Sequence, residues 1–103
     1  MKSGYEITWT AHALEELKHT FEYLEENWTH KELHRLSVEI ENTLNLISKA
    51  PKLFQSTDKK NVRRAVVLKL NTIFFLIKEK DNTIEILSFF NNRRNPEKAE
   101  TGS

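Results

Sequence analysis

Residues Ile84–Pro96 read IEILSFFNNRRNP, an apolar strand that runs straight into two asparagines, two arginines and a proline. An apolar strand needs a sheet to sit in, whereas adjacent arginines at its exit are not a folding device. Together they predict a small scaffold that presents positive charge to a partner.

Working backwards from that strand, Arg64–Leu70 and Thr72–Lys78 are two more runs rich in Val, Ile and Phe, and the last run spans Thr83–Phe90. Asn71 separates the first pair and Asp81-Asn82 the second, so both connections suit antiparallel hairpins. Pro51–Asn61 is polar apart from Leu53 and Phe54 and reads as a loop.

Before the loop the period changes. Leu33, Leu36, Ile40, Leu44 and Ile47 share one helical stripe, and Pro51 ends that helix. Thr29-His30-Lys31-Glu32 has the form of a capping box at its start. Leu14, Leu17, Phe21, Leu24 and Trp28 mark an earlier helix, with Thr10 as its N-cap and Glu15, Glu16, Lys18, Glu22, Glu25 and Glu26 on its polar side. The connection near Asn27–Thr29 is short enough to demand a helical hairpin.

Tyr5–Trp9 alternates apolar and polar residues and reads as an opening strand. The order is β-α-α-β-β-β, an α+β fold with the helical hairpin on one face of a small antiparallel-rich sheet. Pattern alone does not say whether the first strand inserts at an edge or between others. Leu17, Phe21, Leu24, Leu36, Ile40, Leu44, Val66, Leu68, Phe75 and Ile86 are the expected core.

The chain has 103 residues, 38% of them apolar and 30% charged, with ten aromatics and no cysteine. That bounds it to one domain, taken as residues 1–98, followed by a polar tail at 99–103. No run reaches the ~18 apolar residues of a membrane span, and no charged-then-apolar leader opens the chain. Without cysteine there is no disulfide or thiolate metal site, so a cytoplasmic protein is expected.

A net charge of +1 hides an asymmetry. Residues 1–50 carry 5 Lys/Arg against 9 Asp/Glu, and residues 51–103 carry 11 against 6. The acidic half is helical by pattern and the basic half strand-like, which allows one positive face on a nearly neutral protein.

Two basic clusters stand out. Lys59, Lys60, Arg63 and Arg64 lie at the entry to one strand, where ammonium and guanidinium groups suit phosphate or an acidic partner. Arg93 and Arg94 follow the last strand. In an antiparallel meander the first and third strands run parallel, so these clusters belong at opposite ends of the sheet. Either cluster also suits an ordinary solvated loop, or pairing with the helix glutamates.

Histidine offers less. His30 and His34 have the i, i+4 spacing of a metal pair, but the sequence places no third ligand, and no metal site is expected. His12 and His19 fall on the polar side of the first helix. Glycine occurs only at positions 4 and 102, so no phosphate-cradling loop exists. Phe74-Phe75 and Phe89-Phe90 must each split between the two sheet faces. An RNA-stacking sheet is one use for exposed phenylalanines, but the glycine-aromatic motif of that class is absent.

Taken in order, these residues resemble the RelE/ParE superfamily of toxin–antitoxin toxins, a group that includes plasmid stabilisation proteins. The likeness runs from about Tyr5 to Lys98. It rests on ITWTAHALEEL, LISKAPKLF, VRRAVVLKL, NTIFFLIKEKDN and the ending IEILSFFNNRRNPEK. It implies a toxin of a type II system, held in check by a cognate antitoxin.

The resemblance also frames the target. RelE-like members cleave mRNA on the ribosome and commonly use a tyrosine or histidine near the C-terminus for proton transfer. ParE-like members inhibit DNA gyrase. Here no tyrosine or histidine follows Arg94, and both tyrosines lie at positions 5 and 23. A ParE-like gyrase inhibitor is therefore expected, with Lys59, Lys60, Arg63, Arg64, Arg93 and Arg94 facing the target. A ribosome-dependent endoribonuclease using Arg63, Arg64 and Arg94 is the alternative, and a non-toxic antitoxin-binding scaffold a further one. No cofactor is expected, and a homodimer is left open.

Overall fold

Residues 4–91 are described by the structure, a computed structural model. Along them run β1 (Glu6–Trp9), α1 (Ala11–Glu25), α2 (His30–Lys49), β2 (Gln55–Ser56), β3 (Val62–Val67), β4 (Asn71–Lys78) and β5 (Thr83–Asn91). Short 3₁₀ turns occupy Pro51–Leu53 and Glu79–Asp81. The predicted tail, with Arg93 and Arg94 before it, lies outside the described residues.

Local chemistry sets the helix ends. The Thr10 hydroxyl accepts the Ala13 N–H at 3.1 Å, closing the first turn of α1. At α2 the capping box is complete: Glu32 N–H donates to the Thr29 hydroxyl at 3.3 Å, and Thr29 N–H donates to the Glu32 carboxylate at 3.1 Å. Pro51 then begins the 3₁₀ turn that ends the hairpin's second arm.

Among the described residues, the strands form one sheet in the order β1-β5-β4-β3-β2. β1 lies at an edge, parallel to β5, with Glu6 opposite Thr83 and Trp9 opposite Ile86. All other neighbours are antiparallel. Three contacts tie down the N-terminal end of β1. Tyr5 N–H donates to Ser48 O at 2.8 Å, the Ser48 hydroxyl donates to Tyr5 O at 2.6 Å, and Asn82 Nδ2 donates to Gly4 O at 3.1 Å. Gly4 sits at φ 109°, and a Cβ there would come within 3.0 Å of Ser48 O, so only glycine fits.

Strand alternation builds the core. Ala65 and Val67 of β3, Ile73, Phe75 and Ile77 of β4, and Ile84, Ile86 and Phe89 of β5 are all buried. They meet Ala13 and Leu24 of α1 and Leu36, Ile40 and Ile47 of α2. Each large side chain buried this way stabilises the fold by about 1.5–3 kcal/mol. Phe75 and Phe89 point inward while Phe74 and Phe90 are half-buried on the far face, the split expected of adjacent phenylalanines.

Several expectations are corrected. Val66 is 60% exposed, because Ala65 and Val67 hold the inward positions. Leu14 is 49% exposed, and the small Ala13 and Thr20 take the buried line of α1 instead. Leu17, Phe21, Leu44 and Leu68 are half-buried, packed at the margin of the core. The stretch Pro51–Asn61 is more than a loop: β2 pairs with Arg63 and Arg64, and Phe54 meets Phe75 edge-to-face at 5.8 Å.

Asn71 is the first residue of β4 rather than the hairpin turn. The turn is Leu68–Leu70, with Leu68 and Lys69 both left-handed at φ 51° and 68°. Packing of Leu68 against the core offsets part of that backbone cost. The second turn ends as expected at Asn82, left-handed at φ 53°.

Candidate functional site

The basic entry to β3 is a built turn. The Thr57 hydroxyl donates to Val62 O at 2.9 Å and accepts the Lys59 N–H at 3.1 Å. Val62 N–H returns to Lys59 O at 3.2 Å, and Ile77 N–H binds Asn61 O at 2.9 Å. With its backbone satisfied this way, the turn exposes Lys59 and Lys60 to solvent.

Arg63 and Arg64 part company. Arg63 lies opposite the buried Phe75, on the helix side of the sheet. Its guanidinium donates to Phe54 O at 2.6 Å and to Lys52 O at 3.3 Å, so it holds the α2–β2 connection in place. Arg64 lies opposite Phe74 on the far face, is exposed, and reaches Gln55 Oε1 at 3.4 Å. Arg64, Lys59 and Lys60 are thus presented outward while Arg63 is employed within the fold.

A solvent-open cleft of ≈810 Å³ adjoins this end, lined by Lys52, Asn61, Arg63, Lys78, Lys80 and Glu79 among others. Its charges are largely matched internally. Lys52 Nζ lies 2.5 Å from Glu79 and Lys78 Nζ 3.4 Å from Glu85. The hydrogen bond and charge of Glu79 hold the Lys52 ammonium above its ordinary value of 10.5.

The other end of the sheet is set by β5. Asn91 lies opposite Asn71, which in turn lies opposite Val67. The start of β3 and the end of β5 are therefore separated by the length of β3, about 17 Å at ~3.3 Å per residue. Arg93 and Arg94 lie outside the described residues, two and three positions beyond Asn91 in the sequence.

Two polar arrangements near the β5 exit carried no sequence signal. Asn91 Nδ2 donates to Asn71 Oδ1, and Asn71 Nδ2 donates to Val67 O at 3.1 Å, all within the buried core. Glu16, expected on the polar side of α1, turns to β5 instead. Its Oε1 accepts the Ser88 hydroxyl at 2.7 Å and the Phe89 N–H at 2.9 Å. One glutamate among many on an amphipathic helix gives no hint of this, since the partner is 72 residues away.

All four histidines are exposed on the helices. His12 lies 3.3 Å from Glu16 and His19 3.6 Å from Glu15. Among the described residues, no three His, Cys, Asp or Glu side chains are grouped to hold a metal ion. None of their helices is long and apolar enough to cross a membrane.

Comparison with known proteins places this geometry. Residues 7–96 match the family model for the ParE toxin of the type II toxin-antitoxin system parDE. No curated protein sequence matches. Among solved structures, a chain of the chromosomal ParDE system of P. aeruginosa superposes with a TM-score of 0.70 at 13% identity. That match covers 84% of this chain and 95% of the other. A chain of the RelBE2 toxin-antitoxin complex of Mycobacterium tuberculosis superposes with a TM-score of 0.51 at 12% identity, covering 88% and 94% respectively. At such identities the likeness is one of fold.

Proposed function

This chain belongs to the ParE toxin family of type II toxin–antitoxin systems, and we propose from that premise that it arrests growth by binding DNA gyrase. Basic groups make the contact: Lys59, Lys60 and Arg64 at the entry to β3, together with Arg93 and Arg94, which follow β5 in the sequence. A cognate antitoxin neutralises it, as the ParDE and RelBE2 assemblies among its structural neighbours suggest by analogy.

The observation that carries this reading is where proton-transfer groups sit relative to Arg64. All four histidines and Tyr23 belong to the two helices, and Tyr5 precedes β1. The helices cover one face of the sheet, whereas Arg64 lies on the other with Phe74. Phosphate held by Arg64 has no histidine or tyrosine beside it to move a proton, so binding rather than RNA cleavage fits the residues.

Two assays test the proposal. Purified protein is expected to block DNA supercoiling by gyrase in a dose-dependent way. Induced expression without antitoxin is expected to arrest growth while mRNA 5′ ends stay unchanged. New ends phased to codons would instead establish the ribosome-dependent nuclease, and absence of arrest would leave an antitoxin-binding scaffold.

A further inference from the structure

A solvent-open pocket of ≈300 Å³ lies between the start of α2 and the β3–β4 turn, lined by Trp28, Glu32, Arg35, Leu68 and Lys69. Lys59 and Lys60 precede β3 whereas Leu68 and Lys69 follow it, so the pocket is separate from the basic entry.

Each lining residue brings its own chemistry. Trp28 and Leu68, both half-buried against the core, supply the apolar part. Arg35 and Lys69 are exposed, and neither has an ion-pair or hydrogen-bond partner among the described residues. Glu32 is held by its capping box: Oε1 accepts the Thr29 N–H at 3.1 Å, which leaves Oε2 as an oriented acceptor.

The turn adds an independent observation. Leu68 and Lys69 are left-handed at φ 51° and 68°, although neither is Gly or Asn. Such backbone is strained for any residue with a Cβ. Packing explains Leu68, whose side chain joins the margin of the core. It does not explain Lys69, which is exposed and unbonded, and glycine would hold the same backbone without strain. What lysine adds is a charge at the rim of the pocket, and strain of this kind concentrates at ligand sites.

These groups match one ligand chemistry. An indole stacks on a nucleobase, guanidinium and ammonium groups bind phosphate, and an oriented carboxylate accepts a ribose 2′-hydroxyl. The volume is at the lower end for small-molecule sites, which suits a single nucleotide. We propose that this pocket binds a ribonucleoside monophosphate. Its base lies on Trp28, its phosphate between Arg35 and Lys69, and its 2′-hydroxyl against Glu32. The site goes beyond the toxin reading and does not depend on which macromolecule the toxin acts on.

Isothermal titration calorimetry on the full-length chain tests this, with adenosine 5′-monophosphate (AMP) as the probe. Binding tighter than about 1 mM is expected, and 2′-deoxy-AMP should bind at least about tenfold more weakly. Arg35→Ala and Lys69→Gly should each weaken AMP by a similar factor. Lys69→Gly should nonetheless melt no lower than wild type, since it relieves the turn. Inorganic phosphate should not displace AMP at equal concentration, and a short oligoadenylate should bind no tighter than AMP.

Absence of AMP binding, equal binding of the deoxy form, or displacement by phosphate would each overturn the assignment. Oligoadenylate binding in preference to AMP would overturn the mononucleotide and give the site to RNA. Unchanged AMP affinity in both folded variants would overturn the location. A Lys69→Gly variant that melts below wild type would make Lys69 structural and overturn its role.

Discussion

Arg63 and Arg64 are consecutive in the chain but serve opposite faces of the sheet. Arg63 binds the carbonyls of Phe54 and Lys52, and Arg64 projects from the face that the helices leave uncovered. Their substitutions should therefore separate stability from activity. Arg63→Ala is expected to lower unfolding free energy by about 1–3 kcal/mol, the usual cost of removing a charged hydrogen-bond donor. Arg64→Ala should stay within about 0.5 kcal/mol of wild type while weakening growth arrest. Urea denaturation beside an induction assay checks both arms.

The inward parity of β3 yields a sharper stability contrast. Val67→Ala removes a side chain that is 2% exposed, whereas Val66→Ala trims one that is 60% exposed. The first should cost about 1–3 kcal/mol and the second under about 0.5. Equal shifts in melting temperature would mean that the strand faces are wrongly assigned.

Asn71 and Asn91 form a buried pair that is expected to behave non-additively. Asn71→Val alone removes the buried acceptor of the Asn91 amide and the donor to Val67 O, at a cost of about 1–3 kcal/mol. Replacing both with Val should cost less than the two single changes added together. A double-mutant cycle followed by chemical denaturation measures the coupling.

The Lys52–Glu79 pair predicts an alkaline signature. Because Glu79 raises the folded-state value of Lys52 above 10.5, its contribution is fully present below that pH. It is lost as pH rises through the folded value. Both side chains are more than half exposed, so the effect should be small and weakened by salt. Wild type and Glu79→Gln are expected to converge in melting temperature above this range and to differ below it.

Much of the fold was legible because it rests on short-range rules. The 3-4 spacing of Leu33, Leu36, Ile40, Leu44 and Ile47, and the Thr29–Glu32 capping box, each depend on residues within two turns of one another. Parity was harder in Val66-Val67-Leu68, where three apolar residues in a row give no alternation to show which one faces inward. The left-handed turn at Leu68 and Lys69 lacks the usual Asn or Gly, so Asn71 drew the turn assignment to itself.

The site was legible only as composition. Sequence marked Lys59, Lys60, Arg63, Arg64, Arg93 and Arg94 as basic, and placed the two clusters at opposite ends of a meander. It did not separate Arg63 from Arg64, because the separation depends on which face the helices cover.

What the sequence determined by itself was therefore the kind and order of the main elements and the charge asymmetry. Tertiary structure alone decided that β1 joins the sheet parallel to β5, that β5 carries one extra residue, Leu87, against β4, and that Glu16 binds Ser88 and Phe89. The physical reason is sequence distance: Glu6 pairs with Thr83 and Glu16 reaches Ser88. Neither contact follows from any local preference, and both form only when packing of the helical hairpin brings the chain's two ends side by side.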